Sequence, residues 1–213
     1  MFTKQNIHKA YLLISALVIL HGTILLMSAG GFFDVSAFRM FTPLSNYFAA
    51  LGFLAMLILY NSKGKFRSYI CVSIIVSITV TGLVYNLILV PLVPEAEMIL
   101  SDYPNFVTHF LSALLVLFNY FFFEKKGLFT FKHILAGMAF PFVYWIVFVS
   151  VGGIIGFFPY FFMNPMEIGW VMTFVWFAII LVVIAVLGFL LILFDKIRGK
   201  NAFNDPYIGK SHS

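Results

Sequence analysis

Six segments of about 20 predominantly apolar residues follow one another along this chain. A helix needs about 20 such residues to cross the hydrocarbon core of a bilayer. Only 10% of the residues are charged, whereas soluble domains carry about 25%. The sequence therefore predicts an all-α integral membrane protein, a six-helix transmembrane bundle, with spans at Ala10–Ala29, Phe38–Tyr60, Tyr69–Val90, Asn105–Phe123, Ile134–Ile155 and Gly169–Phe194.

The basic residues are distributed unevenly between the two sides of this bundle. Twelve of the 13 Lys and Arg residues fall in the N-terminus, the second and fourth loops and the C-terminal tail, and the exception is Arg39. Positive residues mark the cytoplasmic side of a membrane protein. We therefore expect cytoplasmic N- and C-termini and a location in the cell membrane, in a bacterium the cytoplasmic membrane. The opposite end of the bundle is called the outer end below.

The domain organisation follows from the spans. Residues 1–200 are predicted to form a single transmembrane domain, and residues 201–213 a flexible cytoplasmic tail. The net charge of +5 is explained by topology and by contacts with membrane lipids, so no nucleic-acid partner is expected. The single cysteine, Cys71, cannot form an internal disulfide or a multi-cysteine metal site, and no metal or cofactor is expected. Aromatic residues at the outer end, among them Tyr160, are typical of an interfacial belt.

Polar residues inside the spans are concentrated toward the outer end, where their cost in a bilayer suggests a function. The second span begins with Arg39, followed by Thr42, Ser45 and Asn46; the third carries Asn86 and the fourth His109. A threonine hydroxyl becomes a nucleophile only with a base in reach, and histidine has a suitable pKa. Thr42 and His109 are thus a candidate pair. Arg39 is a candidate for an anionic head group, and Asn46 and Asn86 for an oxyanion.

Each of these residues also has a structural explanation. Thr42 precedes Pro43, as a helix N-cap does when proline follows it. His109 could bond a neighbouring carbonyl, Asn46 and Asn86 could join helices, and Arg39 could extend toward lipid head groups. Ser45 is a rival nucleophile. The spacing of the candidates along the chain leaves these alternatives open.

Four segments, FRMFTPLSN, TVTGLVYN, FNYFFFEKKG and FFPYFFMNPMEIGW, resemble in their order the androgen-induced and androgen-dependent TFPI-regulating family. They are most similar to the bacterial six-span proteins grouped beside it. Animal members are described as multipass threonine hydrolases of fatty acid esters of hydroxy fatty acids, with a threonine nucleophile at the start of the second span and an essential histidine in the fourth. The resemblance assigns these roles to Thr42 and His109. It implies a hydrolase of such esters or similar acyl esters.

Two other functions use the same residues. A small transporter or lipid-binding protein could employ the polar cluster without turnover, and it is favoured by the lack of an acidic residue within a span near His109. A haem protein would need His21 and His109 as axial ligands, but these two lie at different apparent depths. The intramembrane lipid-ester hydrolase is the leading hypothesis.

Overall fold

The computed structural model describes residues 3–61, 66–92 and 102–203, with side chains to residue 199. Within these residues there is no strand, and six helices are long and apolar enough to cross a membrane. The all-α, six-span prediction is confirmed. The helices are α1 Lys4–Met27, α2 Phe41–Ile58, α3 Phe66–Leu92, α4 Tyr103–Phe123, α5 Phe131–Ile155 and α6 Pro165–Phe203.

Several helix ends are set by side-chain caps. Helix α1 begins six residues before the predicted Ala10, because the Thr3 side chain accepts a hydrogen bond from the Asn6 N–H (3.2 Å) and caps the helix there. Helix α5 begins with a reciprocal cap between Thr130 and His133. Helix α6 extends three residues into the predicted tail, and residues 204–213 lie outside the described residues.

The start of the second span differs from the prediction. Residues Val35–Arg39 form a short 3₁₀ helix capped by Asp34, and Met40 has an extended backbone (φ −82°, ψ 142°). Because this extended residue separates two helices, α2 begins only at Phe41. Arg39 therefore precedes the span and does not share a helical face with Thr42.

Helix α3 is at the centre of the bundle. It contacts α2, α4, α5 and α6, while α1 packs against α2 and α4. Helix α6 lies at the periphery and exposes large apolar side chains such as Val171, Phe174 and Phe189. A helix that is apolar all round is suited to contact with lipid. This arrangement places the N-terminus of α2 and the facing ends of α3 and α4 together at the outer end.

Candidate active site

Helices α3 and α4 both lose regular α-helical geometry near the outer end. Helix α3 is π-helical over Tyr85–Leu89, and α4 is π-helical over Val107–Leu111. Single π turns inside α-helices occur frequently at functional sites. One of these turns carries His109 and the other carries Tyr85 and Asn86, so the irregular backbone coincides with candidate residues.

His109 is buried between these two turns. His109 is only 6% exposed, and the Tyr85 ring stacks on its imidazole with 3.7 Å between the ring centroids. Gly82 allows this approach, because a Cβ there would lie 3.2 Å from the His109 carbonyl oxygen. Among the described residues, nothing bonds to the His109 Nδ1 atom. The structural explanation, in which a neighbouring group forms a hydrogen bond with this imidazole, is therefore not supported at Nδ1.

Asn46 joins α2 to α4 at the backbone of Thr42 and at that of Thr108, the residue before His109. Its Nδ2 donates to the carbonyl oxygens of Thr42 and Thr108, each at 2.9 Å. Two carbonyl partners require the donor end of the amide, which fixes its orientation. Both N–H groups are thereby used, so in this conformation Asn46 has no donor left for an oxyanion. Its Oδ1 is buried and has no partner among the described residues.

Thr42 lies in the first turn of α2 but does not cap it. The N-cap is Met40, which makes no side-chain capping bond. The N-cap explanation of Thr42 is therefore wrong, because the helix begins one residue before it. The side chain is partly buried and lines an internal cavity. The Thr42 hydroxyl therefore does not make the helix-capping hydrogen bond that the Thr–Pro pair indicates.

Ser45, the rival nucleophile, is fully buried and engaged. Its hydroxyl donates to the Thr42 carbonyl (3.0 Å) and lies 2.6 Å from the Thr81 hydroxyl. Thr81 is itself 3.1 Å from the Ser77 carbonyl oxygen. This chain of hydroxyls runs toward backbone carbonyls, which cannot act as bases.

Tyr160 is not part of the interfacial belt, contrary to the expectation from sequence. It is buried, and its hydroxyl accepts a hydrogen bond from the Phe41 N–H at 3.0 Å. Burial raises the pKa of this phenol, while its contacts with the Phe41 N–H and the Thr42 hydroxyl oppose the rise. Tyr160 therefore accepts a hydrogen bond from a backbone N–H that the start of α2 leaves without a helical partner, directly beside the candidate nucleophile. The aromatic-rich loop gave no sign of this bond to Phe41, which spans 119 positions.

Arg39 and Asn86 are both exposed. The Arg39 guanidinium lies 5.0 Å from the centre of the Phe157 ring, and its carbonyl accepts from the Tyr144 hydroxyl at 2.8 Å. Asn86 donates to the carbonyl of Gly82 on its own helix (2.7 Å). Arg39 is thus placed at the surface, where an anionic head group could reach it, whereas Asn86 lies outside the buried part of the site.

The internal cavity has a volume of about 40 Å³ and is lined mostly by apolar side chains. Thr42, Thr81, Tyr85 and Tyr160 are among its lining residues, but Asn46, Asn86 and His109 are not. Of the candidate residues Thr42, Asn46, Asn86 and His109, only Thr42 lines this cavity. His109 lies behind Tyr85, and no hydrogen bond between Thr42 and His109 is found in the described part of the chain.

A second Ser–His contact lies toward the other end of the bundle. The Ser68 Oγ is 2.9 Å from His133 Nε2, and the Thr130 N–H donates to His133 Nδ1 at 3.0 Å. A neutral imidazole that accepts at Nδ1 carries its proton on Nε2. His133 therefore donates to Ser68 and cannot accept its proton, so the pair is not arranged as a catalytic dyad, and His133 serves with Thr130 in the cap of α5.

A polar cluster that the sequence pattern does not indicate lies at the end of the bundle opposite the outer end. Arg67 makes two bonds to Glu124, from Nη2 (2.6 Å) and Nε (3.1 Å). His8 Nε2 lies 2.9 Å from the Asn119 Oδ1, and its Nδ1 lies 3.1 Å from the Tyr60 hydroxyl. We name this set the inner clamp: His8, Tyr60, Arg67, Asn119 and Glu124. Arg67 was interpreted as a loop cation because its partner lies 57 positions away.

Cofactor ligation has little support in the described residues. They contain no group of three or more His, Cys, Asp or Glu residues suited to a metal ion. His21 is exposed and its Nδ1 lies 3.3 Å from the Tyr103 hydroxyl, whereas His109 is buried. The two histidines thus differ in environment as well as in position along the helices.

No family model, curated protein or solved structure that was compared with this chain matches it.

Proposed function

We propose that this chain is an intramembrane lipid-ester hydrolase, with Thr42 as the nucleophile and His109 as the general base. Its substrates would be fatty acid esters of hydroxy fatty acids or similar acyl esters. The observation that carries the proposal is the Asn46 bridge. Because the Thr42 and Thr108 carbonyl oxygens are each 2.9 Å from one nitrogen, they are no more than 5.8 Å apart. The backbones at the nucleophile and next to the base are therefore held side by side.

Neither side chain is committed to the structural role that the sequence pattern suggests for it. Thr42 does not cap its helix, and His109 has an unpartnered Nδ1 among the described residues. Catalytic hydrogen bonds are often absent without substrate and form only in the reacting complex. A rotation of the Tyr85 ring away from His109 would remove the stacked contact that now covers the imidazole.

The reaction would proceed by acyl transfer. Thr42 Oγ attacks the ester carbonyl carbon while His109 takes the hydroxyl proton. The C–O bond to the alcohol then breaks, and His109 gives its proton to the departing alkoxide. Water attacks the acyl-threonine while His109 takes its proton; the bond between the acyl carbon and Thr42 Oγ then breaks, and His109 returns the proton to Oγ, which releases the fatty acid and restores Thr42. The Tyr160 hydroxyl, which accepts a hydrogen bond from the Phe41 N–H beside Thr42, would position the nucleophile.

The test is hydrolysis of a palmitoyl ester by the purified protein. Thr42→Ala and His109→Ala should each lower the rate about 100-fold or more, since each removes acid–base or nucleophilic chemistry. The double variant should be no slower than either single variant, because residues that act as a unit are non-additive. Thr42→Ser should keep measurable turnover.

Matched controls exist in the same bundle. Thr79→Ala removes another partly buried hydroxyl, and His21→Ala removes an imidazole that is exposed; both should leave the rate unchanged. Activity that persists in Thr42→Ala but is lost in Ser45→Ala would contradict the assignment of the nucleophile. Activity that persists in all of these variants would contradict the mechanism.

The second candidate function is lipid binding or transport without turnover. It is favoured by one observation: among the described residues, no carboxylate bonds to His109 to orient it. A fluorophosphonate probe separates the two functions, because it modifies an activated hydroxyl covalently. Labelling at Thr42 that disappears in His109→Ala supports the hydrolase, and the absence of labelling supports the binding protein.

A further inference from the structure

A groove runs along the surface of the bundle between α3 and α6. It has a volume of about 210 Å³ and is lined by apolar side chains, including Leu83 and Leu87 of α3 and Trp176, Ile179 and Val183 of α6. Leu87 and Ile179 are 68% and 45% exposed. In a membrane-spanning bundle such side chains face the hydrocarbon core, so the groove opens toward lipid tails.

The groove and the internal cavity share a wall. Val80, Val84 and Ile180 line both of them. These three apolar side chains therefore lie between the lipid-facing groove and the space beside Thr42. The shared wall is formed by aliphatic side chains only, and these can change rotamer without breaking a hydrogen bond.

The size of the cavity determines where an acyl chain can lie. A volume of about 40 Å³ holds a few water molecules at most, so a fatty acyl chain does not fit inside it. If an ester group reaches Thr42, its chain must extend into adjoining apolar space. The groove supplies that space on the other side of Val84 and Ile180.

We propose that the acyl chain of a bilayer-resident ester lies in the α3–α6 groove, and that Val84 and Ile180 part to admit its ester group to Thr42. This inference rests on the proposed hydrolase function. The chain would pass from hydrocarbon to an equally apolar groove, so its burial supplies little driving force. The groove would therefore select substrates by chain length and shape.

The first test uses Ile180→Trp, which places a larger side chain between the groove and the cavity. Hydrolysis of a palmitoyl ester should fall about tenfold or more further than hydrolysis of p-nitrophenyl butyrate, since only the long chain needs the groove and a pocket discriminates by the length it can accept. Val186→Trp is the matched control on the same helix, because Val186 is exposed and does not line the groove. Equal effects of Ile180→Trp on both esters, with unchanged thermal unfolding, would contradict the proposal.

The second test does not depend on hydrolysis and leaves the residues between the groove and the cavity unchanged. A palmitoyl ester with a diazirine in its chain is photolysed with the Thr42→Ala protein in phosphatidylcholine vesicles, and the labelled residues are mapped by mass spectrometry. Labelling should favour Trp176, Ile179 and Val183 over the exposed Val186 and Phe189, and excess unlabelled ester should suppress it.

The two tests also separate this inference from the function on which it rests. Groove labelling by the ester, combined with a wild-type protein that hydrolyses neither ester, would refute the hydrolase and leave the groove as a lipid site. Hydrolysis by the wild type, combined with labelling spread evenly along α6 or concentrated near Phe157 and Arg39, would refute the groove. Labelling confined to the groove together with hydrolysis supports both.

Discussion

The choice between Thr42 and Ser45 depends on where each hydroxyl can send its proton. Ser45 is fully buried and bonded to the Thr42 carbonyl and the Thr81 hydroxyl. Thr42 has no capping role and lines a cavity. A nucleophile needs space for the substrate carbonyl as well as a base, and Thr42 alone of these two lies where that space exists.

A prediction at the scale of single residues concerns Asn46. Asn46→Leu should lower the free energy of unfolding by about 2 kcal/mol, because two buried hydrogen bonds of roughly 1 kcal/mol each are lost. Hydrolysis should fall as well, since the backbones at Thr42 and Thr108 are no longer tied together. Unfolding in detergent micelles measures the first effect and ester hydrolysis the second.

The control for Asn46 is Asn86→Leu. Asn86 is exposed and bonds only to a carbonyl of its own helix among the described residues. Its replacement should change stability by less than about 0.5 kcal/mol. Similar losses of stability in the two variants would mean that the Asn46 bridge has no special role.

At the scale of elements, the two π turns give α3 and α4 their local geometry at the site. A π turn contains one residue more than the α-helical turn it replaces, and it changes the direction of side chains locally. His109 and Tyr85, which stack on each other, lie on the two π turns. The stacked pair therefore depends on irregular backbone in both helices.

Deleting Phe110 tests the α4 turn. Removal of one residue from Val107–Leu111 should restore a regular helix without rotating the rest of α4, and helical content by circular dichroism should be unchanged. Hydrolysis should be lost because His109 is reoriented. Deletion of Phe118, which is equally exposed (44%) but lies in the regular part of α4, should instead destabilise the fold by shifting Asn119 and Glu124. An active Phe110 deletion would show that the π turn is dispensable.

At the scale of the whole molecule, the inner clamp joins the helices opposite the candidate site. Arg67 at the start of α3 bonds Glu124 just after α4 and the Met56 carbonyl of α2, and His8 of α1 bonds Asn119. Four helices are thereby connected through largely buried polar groups. Such a cluster is costly to break, because any single removal leaves a partner charge unpaired.

Glu124→Gln should therefore lower the free energy of unfolding by about 2 kcal/mol, because it weakens charge-assisted hydrogen bonds of a partly buried pair. The double variant Arg67→Met with Glu124→Leu should be less destabilised than Glu124→Gln. Glu167→Gln is the control, because Glu167 is exposed. Unfolding monitored in micelles distinguishes these cases, and a Glu124→Gln protein as stable as the control would contradict the clamp.

Topology is tested by labelling intact cells with an impermeant maleimide. Lys125 and Met166 are both exposed and lie at opposite ends of the bundle, and the endogenous Cys71 is buried. With cytoplasmic termini, Met166→Cys should be labelled from outside and Lys125→Cys only after the cells are permeabilised. The reverse pattern would invert the predicted orientation.

The number and type of spans were predictable because hydropathy is a local property. About 20 apolar residues in a row determine a membrane helix wherever its neighbours lie. Helix boundaries were less predictable. The cap at Thr3 and the extended Met40 moved the starts of α1 and α2, since capping and local dihedral angles add little to an average over a span.

The contacts of the candidate site were decided by tertiary structure alone. The sequence by itself determined the six spans and singled out two candidate residues for the proposed chemistry, a threonine at the start of the second span and a histidine in the fourth. It contained no information on the Asn46 bridge, the Tyr160 contact or the Arg67–Glu124 pair, which join residues 62, 119 and 57 positions apart. Such pairs form only when helices dock, because a buried polar group is stable only with a partner that packing brings to it.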